Sequence, residues 1–124
     1  MKQLLLILGI SLGLATSANA EWVLASKTDD ADFYMDPNVR EGDGYVYAWF
    51  LMDYLRPVKG DLSLEIYKRI DCNSYGQQWL STIFYTRNMG RGEGEDYNPE
   101  PKWIYPKPGQ AFYHESAFAC KMRK

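Results

Sequence analysis

From Glu21 onward the chain alternates short β-prone runs with turn chemistry, and no internal repeat or low-complexity linker interrupts it. Residues 22–26 read as a first strand and 31–36 as a second, which stops where Pro37 removes a backbone donor. Residues 38–44 contain Glu41-Gly42-Asp43-Gly44 and predict a tight turn. Residues 45–54 are the most β-prone stretch, bulky and aromatic, and apolar at both parities until Asp53; such a strand belongs in the middle of a sheet. After a turn over 56–61, the alternation over 62–71 is the cleanest in the chain. Leu62, Leu64, Ile66 and Ile70 point one way, and Ser63, Glu65, Tyr67, Arg69 and Asp71 the other. Cys72 shares the apolar parity, which turns its sulfur toward the core. Residues 73–76 turn the chain, and 77–87 predict a further strand carrying Trp79, Leu80, Ile83, Phe84 and Tyr85. Residues 88–101, rich in Gly, charge and Pro, predict a long mobile loop, and 103–105 a short edge strand. Residues 110–121 hold no Gly, Pro or β-branched residue and predict a helix. Its apolar residues run most of the way round, with a polar wedge near His114 and Lys121.

The N-terminus follows a different pattern. Met1-Lys2-Gln3 is a short positive stretch, residues 4–14 are an apolar run, and Ala18-Asn19-Ala20 is a small-residue tail before Glu21. That is the three-part pattern of a secretory signal, with cleavage expected between Ala20 and Glu21. A bilayer span needs about 20 apolar residues, and Thr16, Ser17 and Asn19 break this run too early, so no membrane span is expected. No cysteine lies in or just after the signal, so the mature protein is expected to be exported and free of a lipid anchor, in the periplasm or outside the cell. Cleavage leaves 104 residues, 21–124, enough for one domain.

Composition narrows the partners. Without Lys2, 13 basic side chains face 16 acidic ones, with no basic block for a phosphate backbone, so nucleic acid is excluded as a partner class. The 10 Tyr, 4 Trp and 5 Phe all follow the signal and make a disordered chain untenable. Cys72 and Cys120 are both exported to where thiols oxidise, and are expected to pair. The bond closes a loop of about 49 residues, worth roughly 4 kcal/mol in the chain-entropy account. The expected fold is α+β: a single antiparallel sheet of about five to six strands, with one C-terminal helix packed on one face and disulfide-linked to the sheet.

A helix of about 12 residues is about 18 Å long and cannot cover both faces of such a sheet. If it packs on the side to which Cys72 points, the opposite face receives Tyr67 and one parity of the central strand. That parity is either Tyr45, Tyr47, Trp49 and Leu51 or Val46, Ala48, Phe50 and Met52. Tyr45, Tyr47, Trp49 and Tyr67 are the candidate partner surface, since an apolar patch of this kind serves self-association or ligand binding. Sheet curvature and the 88–101 loop are the alternative way of burying it.

Several short motifs follow one another along the chain: Trp22-Val23-Leu24, Tyr34-Met35-Asp36-Pro37, Trp49-Phe50-Leu51-Met52-Asp53-Tyr54, Asp71-Cys72, Met89-Gly90-Arg91-Gly92, Trp103, Pro108-Gly109 and Cys120. In this order and spacing the chain resembles the surface-adhesin protein E family, small exported bacterial proteins with an antiparallel sheet and a disulfide-tethered C-terminal helix. The resemblance implies binding to host extracellular-matrix or cell-envelope proteins, a homodimer, and structural hydrogen-bonding roles for Asp53 and Asp71. Two functions follow: a binding module, or a periplasmic structural or accessory protein whose open face meets a second copy of itself.

No residue set points to catalysis, a cofactor or a metal, and the chain reads as no enzyme. His114 is the only histidine, with no cysteine to spare beside it, and reads as a solvated helix residue. Asp29, Asp30 and Asp32, and Asp36 with Asn38 and Asp43, lack the regular spacing and closing glutamate of a calcium loop and read as turn chemistry. Glu93, Glu95 and Asp96 read as solvated charge, and Gly90-Arg91-Gly92 as a turn that precedes no helix.

Overall fold

The structure, a computed structural model, describes residues 21–123; the expected signal lies outside the described residues. Strands β1 (Val23–Lys27), β2 (Ala31–Met35), β3 (Arg40–Gly42), β4 (Tyr45–Val58), β5 (Asp61–Asp71), β6 (Gly76–Arg87), β7 (Arg91–Tyr97) and β8 (Trp103–Ile104) precede helix α1 (Ala111–Lys121). All eight strands pair antiparallel in one curled sheet, ordered β1-β2-β4-β5-β6-β7. Two short strands complete it: β3 lies against β4 beyond the end of β2, and β8 lies against β6 beyond the end of β7.

Turn chemistry sets the registers. Asp43 and Gly44 join β3 to β4, and Lys59 and Gly60 join β4 to β5. All of these residues take positive φ, the geometry of the two-residue hairpin whose twist matches its strands. Thr28 closes the β1–β2 turn by accepting the Asp30 and Ala31 amides at 3.2 Å. Asp71 closes the β5–β6 turn, its carboxylate accepting the Asn73 amide at 2.9 Å and its carbonyl the Tyr75 amide at 2.7 Å.

Three expectations need correction. Residues 91–97 are a strand, not part of a mobile loop, because β6 offers them a free backbone edge and an edge strand needs no apolar side chains to pair. The Thr82 hydroxyl donates to the Tyr97 carbonyl, and the Thr86 hydroxyl accepts the Glu93 amide at 3.2 Å. Residues 40–42 are a short strand within what reads as a turn. β4 runs on to Val58, and its pairing with β5 shifts between Asp53 and Val58, the irregularity that lets Pro57 sit in a strand.

Helix α1 begins after Gln110, whose side-chain oxygen accepts the Lys107 amide at 2.8 Å. It lies on the face to which Cys72 points, and the Cys72–Cys120 disulfide holds the two Cα atoms 5.8 Å apart. Met35, Val46, Ala48, Phe50 and Ile70 of the sheet pack against Ala119 and Cys120. At the other end of α1, Phe112 meets Phe33 and Trp79 edge to face at 5.9 and 5.7 Å. Phe50 and Met35 are completely buried, so this end-to-end contact is the core.

Candidate functional site

With Val46, Ala48 and Phe50 under the helix, the other parity of β4 faces away from it. The register then aligns Arg40, Tyr47, Arg69, Gln78 and Trp103 as successive neighbours across β3, β4, β5, β6 and β8. Trp49 and Tyr67 form the adjoining cross-strand pair. The predicted residues Tyr45, Tyr47, Trp49 and Tyr67 are thus brought onto one surface, and Arg40, Arg69, Trp103 and Tyr105 join them there.

Rings and guanidiniums interleave on this surface. Tyr67 lies 5.1 Å from Trp49 and 6.1 Å from Tyr47, and Trp103 lies 5.5 Å from Tyr45 and 6.4 Å from Tyr105. The Arg40 guanidinium sits 4.3 Å above the Tyr47 ring and donates through Nε and Nη2 to the Tyr67 hydroxyl at 3.4 and 3.3 Å. Arg69 sits 5.1 Å from the Tyr45 ring and 5.7 Å from Trp103, and both its Nε, at 3.0 Å, and its Nη2 donate to Oε1 of Gln78. Such cation–ring contacts hold a charged side chain upright on a sheet at little entropic cost once formed. Tyr47 is 7% exposed and Tyr105 63%, so the patch grades from buried base to open rim.

The rest of this face is covered. The 3-10 turn Asn88–Gly90 folds back over β4 and β5, held by Asp53, which accepts the Met89 amide at 2.8 Å and the Asn88 side-chain amide at 3.0 Å. Ser63 donates to the Arg87 carbonyl at 2.6 Å and accepts the Gly90 amide at 2.9 Å. Leu51, Ser63 and Glu65 are buried beside it. The Glu65 carboxyl accepts the Tyr85 hydroxyl at 3.4 Å, and burial raises its pKa above the usual carboxylate range, an effect the Tyr85 bond partly opposes. Asp53 and Asp71 therefore do serve as backbone acceptors.

The remaining candidates sit apart. Asp30 pairs with Arg56 at 3.1 Å, Asp32 approaches Lys27 at 3.9 Å, Asp36 accepts the Asn38 amide at 3.0 Å, and Asp43 belongs to the β3–β4 hairpin. Asp30, Asp36 and Asp43 lie in turns as expected, whereas Asp32 lies within β2, opposite Lys27 of β1. Glu93, Glu95 and Asp96 are exposed along β7, and His114 is exposed on α1.

Pattern reading missed a polar cluster beneath the helix. Lys68 is completely buried, its Nζ 2.6 Å from Glu115 Oε1 and 2.7 Å from Gln77 Oε1. It is also boxed by the rings of Phe112 at 4.3 Å, Phe50 at 4.7 Å and Trp79 at 5.3 Å. Gln77 completes the link by donating to the Phe112 carbonyl at 3.2 Å and the Ser116 hydroxyl at 3.0 Å. Burial lowers the pKa of Lys68 and raises that of Glu115, while each partner's charge opposes the shift in the other. The signal was available: Lys68 occupies the apolar parity between Ile66 and Ile70.

Fold and surface together define a class: a one-sheet, one-helix module whose disulfide-pinned helix closes one face and whose other face carries rings and arginines. The sequence profile described as "Surface-adhesin protein E" matches residues 22–121, and the chain belongs to that family. Among solved structures, the chain is similar to the selenomethionine form of Haemophilus influenzae protein E, with a TM-score of 0.60 and 18% identity over 81% of this chain and 85% of that one. Crystal form II of Haemophilus influenzae protein E gives a TM-score of 0.62 and 17% identity over 91% of this chain and 97% of that one. At such identities the likeness is one of fold. No curated protein sequence matches the chain.

Proposed function

We propose that this chain is an exported, non-catalytic binding module that holds a protein partner, from host matrix or cell envelope, on the sheet face opposite α1. The observation that carries this reading is the gathering of Tyr45, Tyr47, Trp49 and Tyr67 with Arg40 and Arg69 into one continuous surface. Trp, Tyr and Arg are the residues on which protein interfaces concentrate their binding energy, because they offer large rigid area with a polar edge. Membership of a family described as surface adhesins supports a binding role outside the cytoplasm. The pattern of residues 1–20 supports export, with cleavage after Ala20 and a product that starts at Glu21 and carries no lipid.

Cell fractionation with mass spectrometry tests the reading. The expected product has the mass of residues 21–124 and is found in the periplasm or the medium; an uncleaved chain held in the cytoplasm contradicts it. The competing occupant of the face is a second copy of the chain, in a periplasmic accessory role. Gel filtration separates the two: a monomer leaves the face to a foreign partner, and a dimer that Trp49→Ser dissolves assigns it to the second copy.

A further inference from the structure

We infer that the patch opposite α1 recognises an acidic peptide segment, with carboxylates docking on the outer edges of the Arg40 and Arg69 guanidiniums; this rests on the reading of that face as a protein-binding surface. Each guanidinium has five N–H donors, and both arginines direct Nε and Nη2 to a single neutral acceptor, the Tyr67 hydroxyl or the Gln78 amide oxygen. Among the described residues the Nη1 edge of each has no hydrogen-bond acceptor, while the ring beneath fixes its plane, and a planar fork held in this way suits a bidentate carboxylate.

Four cations elsewhere are matched with carboxylates of their own: Lys27 with Asp32, Arg56 with Asp30, Lys68 with Glu115, Lys102 with Glu100. Near the patch, Asp43 acts on Arg40 only through space, and Asp71 turns its carboxylate to the Asn73 amide. Arg40 and Arg69 flank Tyr47 on strands two apart in the sheet, which places their backbones about 10 Å from each other, the span of about three residues of extended chain. A peptide with acidic residues at that interval, and an aromatic or apolar one between them for Tyr67 and Trp49, meets both forks at once.

A sulfated or uronic glycan is the other anionic candidate. The patch favours it less, because guanidiniums already occupy ring faces of Tyr45, Tyr47 and Trp103 that a sugar would stack on.

Fluorescence anisotropy on the purified protein tests this with three probes: a labelled short peptide with glutamates three positions apart and tyrosines between them, its counterpart with lysine for glutamate, and a heparin oligosaccharide. The glutamate peptide is expected to bind saturably and the other two not to bind. Arg40→Gln and Arg69→Gln are each expected to weaken it about tenfold or more. Arg69→Lys, which keeps the charge and loses the fork, is expected to fall between, and circular dichroism melts of all variants check that the fold survives. Equal binding of the glutamate peptide by wild type and the Arg40→Gln/Arg69→Gln double variant overturns the inference, as does binding of heparin alone. If Trp49→Ser abolishes capture of a matrix or envelope protein that the double variant still captures, acid recognition is wrong and the binding face stands. If neither variant changes capture, both readings fall.

Discussion

At the scale of single residues, the buried Lys68 is the feature most exposed to test. Its charge is taken out of water and answered by Glu115, Gln77 and three rings, so removing one partner leaves the other stranded. Lys68→Met and Glu115→Leu are each expected to cost about 3–5 kcal/mol in urea unfolding, and the double variant to recover most of that loss. A double variant no better than either single one contradicts a paired role. Glu65 makes a pH prediction of opposite kind. Burial raises its pKa, so the folded state holds its proton more tightly than the unfolded chain. The stability it contributes is full below the ordinary carboxylate range and is lost as pH rises through the raised value. Glu65→Gln is expected to flatten that fall, read as urea midpoints across mildly acidic pH; an unchanged slope contradicts it. Lys68 also shows where pattern reading stops. A period of two places a residue on a face, and it placed Lys68 correctly on the apolar one, but it does not name the acid on a helix 47 positions away that makes the burial tolerable.

Among elements, helix α1 and the Asn88–Gly90 turn cover opposite faces by different means. The helix is pinned by Cys72–Cys120, which closes a loop of 48 residues' separation. Reduction, or Cys72→Ser with Cys120→Ser, is expected to lower stability by roughly 4 kcal/mol and to raise amide exchange in 111–121 before the sheet. Uniform loss of protection throughout contradicts a pinned helix. The turn is held by Asp53 and by a close approach at Gly90, where φ is +68° and a Cβ would lie 2.6 Å from the Glu65 carboxylate. Gly90→Ala is expected to cost about 1–2 kcal/mol for the left-handed backbone alone, and more from the contact, checked by thermal melting. The helix was legible because 110–121 has the composition of one and ends where its basic residues suit the dipole. Strand β7 was not, since Arg-Gly-Glu-Gly-Glu-Asp-Tyr has no apolar period at all. Its pairing comes from the free edge of β6, which no local window contains.

For the whole molecule, the two faces divide the labour. The Cys72 side is sealed by a helix over Met35, Phe50 and Ile70, and the opposite side keeps an aromatic and arginine surface graded toward solvent. The sequence located Tyr45, Tyr47, Trp49 and Tyr67 and left the parity of β4 open, because that strand is apolar at both. Only the position of α1 decides it. Arg40 and Trp103 escaped notice since they come from two further strands, and they meet Arg69, which alternation had placed on the Tyr67 side, only through register. Solid-phase binding to a panel of matrix and envelope proteins, comparing wild type with Trp49→Ser/Tyr67→Ser and with His114→Ser on the exposed helix surface, tests the division most directly. The account predicts that a partner held by wild type is lost by the sheet-face variant and kept by His114→Ser; retention by both variants, or loss by both alike, would contradict it.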